Sequence, residues 1–148
     1  MIQHFGKEKP YPGPEDQFQI ATARIIRLHP AKPLAYHIPN GGKRPLTPVR
    51  NRRTGVVTMA PVIGRKLKEQ GALAGVPDWY IAEPRGAYPG AYIELKVKGG
   101  TMQPSQVAFL EAAAMRGYYV AVVWSLESFK ERLDWYLNLK NNSNEKGL

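Results

Sequence analysis

The chain has 148 residues, enough for one domain with its own core, and no cysteine, which excludes disulfides and thiolate metal sites. No run is apolar for long enough to span a bilayer, and the first residues lack the apolar core of a signal peptide, so a soluble, cytoplasmic protein is expected. The net charge is +9, and its distribution is uneven: Gln17 to Lys68 holds eleven basic residues and no Asp or Glu, whereas the rest holds ten basic and twelve acidic ones. A segregated positive field of this kind suits a polyanion, and nucleic acid is the usual one.

Residues 1–13 carry Pro10, Pro12 and Gly13 with little periodicity and read as a mobile lead-in. Pro14 suits a first helical position, and Glu15 and Asp16 follow where the helix dipole favours acids. Phe18, Ala21, Ile25 and Leu28 recur at helical spacing, which predicts a helix from Pro14 to Leu28, stopped by Pro30. Glu15 and Gln19 share one face of it, and by position alone Glu15 reads as an acid placed by the dipole. Leu34–Ile38 is a short strand. Pro39-Asn40-Gly41-Gly42 is a turn, with His37 and Asn40 around it and Lys43 and Arg44 after it; backbone amides and basic side chains there can hold a phosphate. Pro45–Thr58 is the least regular part and reads as an exposed basic loop around Arg50, Arg52 and Arg53. Val56–Gln70 then turns helical, with Arg65, Lys66 and Lys68 near its end and Gly71 as its stop.

Trp79–Ala82 is a strand entered from Asp78. Pro84–Gly90 is a loop full of breakers, and Ala91–Lys98 is a second strand ended by Gly99-Gly100. Pro104 fits the first position of a helix whose apolar face draws on Val107, Leu110, Ala114 and Met115 or their neighbours. Tyr118–Trp124 is apolar enough to be a strand buried on both faces. Ser125 caps a last helix striped by Phe129, Leu133, Tyr136 and Leu137. Residues 141–148 form a polar tail, and 14–140 is the folded domain. The link from Ala91–Lys98 through a helix to Tyr118–Trp124 has the length of a parallel crossover, so the fold class is α/β with a mixed central sheet.

Glu94 and Lys96 are two apart in a strand and point to one face, while Ile93, Leu95 and Val97 point to the core. Charges beside apolar strands are costly unless paired or bound to something. Asp78 can add a second carboxylate if the strands pair. Two carboxylates and a strand carbonyl make an oxygen site suited to Mg2+, and Lys96 can steer a water and offset developing negative charge. On spacing alone a Glu–Lys salt bridge is the better reading. Three contexts favour a site: the rigid Gly75-Val76-Pro77 entry to Asp78, the apolar strand around Glu94 and Lys96, and Gln106 in the first turn of the next helix.

These residues, in this order, carry a resemblance. Glu15 and Gln19, His37-Ile-Pro-Asn40-Gly-Gly-Lys-Arg44, Gly71, Ala74-Gly75-Val76-Pro77-Asp78, Ile93-Glu94-Leu95-Lys96, Gln106 and Gly117-Tyr118 resemble a stand-alone VRR-NUC domain of the PD-(D/E)XK nuclease superfamily, of phage or bacterial type. The marks extend from about Glu15 to Leu137. The resemblance implies a restriction-endonuclease-like αβββαβ core with a mixed sheet flanked by helices. It implies phosphodiester hydrolysis with Mg2+ or Mn2+, and no small-molecule cofactor. Asp78, Glu94 and the Leu95 carbonyl would be metal ligands, Lys96 the catalytic lysine, Glu15 an acid near the metal, often through water, and Gln106 a glutamine near the site. The basic insertion from Pro45 to Thr58 departs from the family pattern.

The resulting expectation is a metal-dependent DNA endonuclease, resembling Holliday-junction resolvases in acting on branched DNA as a homodimer. Its nucleic-acid contacts are sought in His37, Asn40, Lys43, Arg44, Arg50, Arg52, Arg53, Arg65, Lys66 and Lys68. Trp135 and Tyr136 are candidates for the subunit contact and equally good core. A nicking or flap-type nuclease, or a DNA-binding module without chemistry, are the rival readings.

Overall fold

The computed structural model describes residues 2–39, 46–60 and 62–141. Its elements in chain order are β1 (His4–Phe5), α1 (Glu15–Leu28), β2 (Ala35–His37), β3 (Thr47–Arg50), β4 (Val57–Ala60), α2 (Val62–Glu69), β5 (Trp79–Ile81), β6 (Ala91–Leu95), α3 (Pro104–Met115), β7 (Tyr119–Val123) and α4 (Leu126–Leu137). They fall into two compact units, one formed by Met1–Ile38 with Gly75–Leu148, the other by Pro39–Ala74. Among the described residues no helix is long and apolar enough to cross a membrane.

The first unit is built on a mixed five-stranded sheet in the order β1-β7-β6-β5-β2. β6 and β7 run parallel across the α3 crossover, while β5 is antiparallel to both β6 and β2. One face is covered by α1 and α4 over a core of Phe18, Ile26, Trp79, Ile81, Ile93, Leu95, Val123, Phe129, Leu133 and Tyr136. The other carries α3, where Leu110 packs on Val122 and Trp124. The alternation along β6 therefore sorts Ile93 and Leu95 into the first core and Tyr92 and Glu94 to the opposite face.

Several sequence expectations shift in phase. The buried stripe of α1 is Phe18, Thr22 and Ile26, and Leu28 is exposed. A polar residue holds the central position because its hydroxyl is fully used: Thr22 Oγ1 accepts the Trp79 indole N–H at 3.0 Å and donates to the Gln19 carbonyl at 2.9 Å. In α3 the buried positions are Leu110 and Ala113, while Met115 is almost fully exposed. Tyr136 is core, whereas Trp135 is partly exposed and lies under the Arg132 guanidinium.

Within the expected lead-in, His4–Phe5 and Tyr11 join the sheet. β1 pairs in parallel with β7, the Tyr11 N–H donates to the Trp124 carbonyl at 2.6 Å, and the Tyr11 ring stacks on Phe18. The physical reason is the row of ladder groups that a buried strand such as β7 would otherwise leave unpaired on that side.

In the second unit, the segment expected as a loop is a β-hairpin, with Thr47 opposite Ala60 and Arg50 opposite Val57. Asn51 organises its turn. Its side-chain oxygen accepts the Arg53 and Thr54 N–H groups at 2.9 and 3.0 Å, and Gly55 takes the left-handed φ of +71°. Pro48 hides this strand from sequence reading, yet a two-stranded sheet is all edge and tolerates it. The following helix starts at Val62 rather than Val56, because Val57–Ala60 is taken by β4. This unit holds eight basic residues and one acidic residue, so it carries most of the chain's net charge.

Candidate active site

The pairing of β5 with β6 sets Trp79 opposite Ile93 and Tyr80 opposite Tyr92. Continuing this antiparallel register one step sets Asp78 opposite Glu94, on the face shared with Tyr80 and Tyr92. A further step sets Pro77 opposite Leu95. Lys96 Nζ lies 3.1 Å from Glu94 Oε1, and both side chains are buried.

Gln106 ties this pair to α3. Its Oε1 accepts from Lys96 Nζ and from the Gln103 N–H, both at 2.9 Å, and its Nε2 donates to Glu94 Oε1 at 2.7 Å. The ammonium and the backbone N–H can only donate, so the amide oxygen must face them and its NH2 group must face Glu94. The Gln103–Gln106 contact is also the capping box that opens α3. One side chain thus starts the helix and holds the lysine–glutamate pair.

Asp78 is fixed through its backbone and its carboxylate. Its carbonyl accepts from the Ile38 N–H at 2.7 Å and lies 2.8 Å from His37 Nδ1, which must donate to it. Its Oδ2 accepts the Leu95 N–H at 2.8 Å. In an extended strand the N–H and C=O of one residue point the same way. The Leu95 carbonyl therefore also faces the β5 side, where the opposing residue is Pro77, which has no N–H to give. By this register β5 supplies no backbone N–H to that oxygen.

Burial works against charge on both carboxyls. Burial first, and then the charge of Asp78, push the Glu94 carboxyl from its ordinary 4.5 up to about 8, against the pull of Lys96. Burial likewise raises Asp78, opposed by the Leu95 amide and reinforced by the charge of Glu15. Glu15 lies exposed in the first turn of α1, and its charge bears on both carboxyls. Among the described residues no three His, Asp or Glu side chains cluster closely enough to hold a metal by themselves. The donor set is two carboxylates and a carbonyl, which fits Mg2+ or Mn2+, since Mg2+ keeps several waters.

Of the site residues expected from sequence, Asp78, Glu94, Leu95, Lys96 and Gln106 come together, with Glu15 within electrostatic reach. His37 serves as the anchor of the Asp78 backbone. Arg50, Arg52 and Arg53 lie at the end of the hairpin, and Arg65, Lys66 and Lys68 lie on α2. Asn40, Lys43 and Arg44 lie outside the described residues. Sequence reading missed Gln103, whose capping-box spacing to Gln106 was there to be found, and the place of Pro77 opposite Leu95.

Gly75 sets how closely the entry to Asp78 approaches α3. Its φ is +83°, and an added Cβ would collide with the Ser105 carbonyl and lie 2.8 Å from the Gln106 nitrogen. The substitution Gly75→Ala is expected to destabilise the fold by about 1–3 kcal/mol. It should also displace the α3 start that carries Gln106. Thermal melts beside the parent check the loss of stability.

No family model matches the chain, and none of the curated proteins matches it. A solved structure named "VRR_NUC domain protein" is similar to it with a TM-score of 0.65 and 24% identity, over 86% of this chain and 90% of that one. The likeness is one of fold and extends across nearly the full length of both chains.

Proposed function

We propose that this chain is a metal-dependent DNA endonuclease of the VRR-NUC type within the PD-(D/E)XK superfamily. The observation that carries the reading is the β5–β6 register, which continues to Asp78 opposite Glu94, with the buried Lys96 3.1 Å from Glu94 and the Asp78 carboxylate on the Leu95 N–H. When bound, Mg2+ or Mn2+ would polarise the scissile phosphate and lower the pKa of a water. Asp78, Glu94 and the Leu95 carbonyl would hold the cation, and Glu15 would orient water around it. Lys96 would place a fixed positive charge where negative charge develops on the phosphate. Gln106 keeps Lys96 and Glu94 in register. The similarity in fold to a VRR_NUC domain protein supports the same class.

The substrate of this reading is branched DNA, cut by a homodimer in a phage-infected or bacterial cytoplasm. The test is a cleavage panel of four-way junction, flap, splayed-arm and linear duplex DNA with Mg2+ or Mn2+. Paired symmetric cuts in the junction support the resolvase-like form. Single cuts without junction preference favour the nicking or flap-type reading, and uncut DNA throughout leaves only a binding module.

The basic unit is the proposed backbone contact. Each phosphate neutralised adds about 0.9 to the slope of log affinity against log salt. Replacing Arg50, Arg52 and Arg53 together by Ala should reduce that slope by about 2–3, measured by anisotropy at several salt concentrations. An unchanged slope would remove the hairpin end from the interface.

A further inference from the structure

Tyr36 on β2 stands opposite Tyr80 on β5, which stands opposite Tyr92 on β6. Their ring centroids are 5.6 Å and 4.8 Å apart, and Tyr118 closes the group at 5.4 Å from Tyr92 and 6.3 Å from Tyr80. Tyr36 is 52% exposed, and the other three are half-buried. By the register this row lies on the same sheet face as Asp78 and Glu94, two residues along each strand, or about 7 Å away. Gly90 makes room for it: a Cβ there would stand 2.6 Å from the Tyr80 hydroxyl.

We infer that Tyr36, Tyr80, Tyr92 and Tyr118 form a stacking platform for an unpaired nucleobase next to the scissile phosphate. This deepens the nuclease reading and rests on it for the position of the phosphate. A strand that leaves the two carboxylates along the Tyr80 and Tyr92 side passes its neighbouring nucleotide over these rings. Phenol faces stack any base, and stacking is tolerant of sequence. Bases inside a duplex have both faces covered by their neighbours, so the platform selects a nucleotide that has left the stack. The occupant is thus a strand that is single or splayed beside the cut, as at a junction or flap.

The test is binding by the full chain in EDTA, where no cleavage occurs, read by fluorescence anisotropy. The probes are a splayed-arm DNA, the same DNA with one abasic position at the start of the arm, and a blunt duplex. The parent should bind the intact arm about five- to a hundredfold more tightly than the abasic arm. Tyr36→Leu and Tyr80→Leu keep an apolar side chain but lose the ring; they should bind both arms alike and the duplex as the parent does. A parent indifferent to the missing base, or variants that keep the preference, would overturn the inference. So would sedimentation showing that the variants dissolve a dimer formed by the parent, since the face would then be a subunit contact. The nuclease reading fails separately, by absence of metal-dependent cleavage, a result that this metal-free binding does not depend on.

Discussion

Lys96→Met is expected to lower the cleavage rate by about 10²–10³-fold while leaving binding to DNA in EDTA nearly unchanged. Methionine keeps an unbranched stem in a position that is only 8% exposed, so packing survives. What is lost is the ammonium, which sits 3.1 Å from Glu94 and 2.9 Å from the Gln106 oxygen. Gln106 still accepts from the Gln103 N–H and still donates to Glu94, so the start of α3 and the carboxylate stay in place. A rate loss with an intact fold therefore isolates the charge at Nζ. The loss should fall on kcat rather than KM, because the charge is asked to act on the transition state. Single-turnover cleavage and circular dichroism of the same preparation check it. A variant that cuts like the parent would reduce Lys96 to a partner of Glu94.

The second large effect concerns stability against pH without metal. Glu94 in the fold titrates at about 8, above its ordinary 4.5, and Asp78 is shifted in the same direction. Between these values the folded protein holds more protons than the unfolded chain. Stability is therefore greatest below about pH 4.5 as far as this group is concerned, falls as pH rises toward 8, and levels beyond it. The slope approaches about 1.4 kcal/mol per pH unit where the difference is one full proton. In the proposed site a bound cation would take the place of the proton, so Mg2+ or Mn2+ should restore stability strongly at pH 8.5 and little at pH 5. Urea melts at pH 5, 6.5 and 8.5 in EDTA and in each metal give the profile. Glu94→Gln serves as the reference: without metal it should be more stable than the parent at pH 8.5 and should lose the metal response. A parent profile parallel to that of Glu94→Gln would show that Glu94 is ionised throughout.

Much of this arrangement was legible in sequence, for identifiable reasons. Glu94 stands in a strand whose alternation is clear; that strand begins at Ala91 as expected but ends at Leu95, so Lys96 follows just after it. Gln106 was legible because Pro104 marks the helix start. The stripe of α1 was misphased because Thr22 looks polar until its hydroxyl is seen bonded to Trp79. Residues 1–13 looked mobile because a two-residue strand leaves no periodicity; its place is dictated by the open side of β7. The hairpin was hidden by Pro48 and by arginines that read as loop. The register that sets Asp78 opposite Glu94, and Pro77 opposite the Leu95 carbonyl, is a long-range fact that no local pattern carries.

The most direct measurement is nicking of supercoiled plasmid by the full chain in Mg2+, in Mn2+ and in EDTA, beside an identically purified Asp78→Asn protein. Asparagine still accepts the Leu95 N–H but gives up the charge, so the backbone contact stays and the proposed metal site loses a carboxylate. The parent should cut in either metal and not in EDTA, and Asp78→Asn should be slower by at least about a hundredfold. Equal cutting by parent and variant, or no cutting by the parent in any metal, would contradict a metal-dependent nuclease centred on Asp78, Glu94 and Lys96.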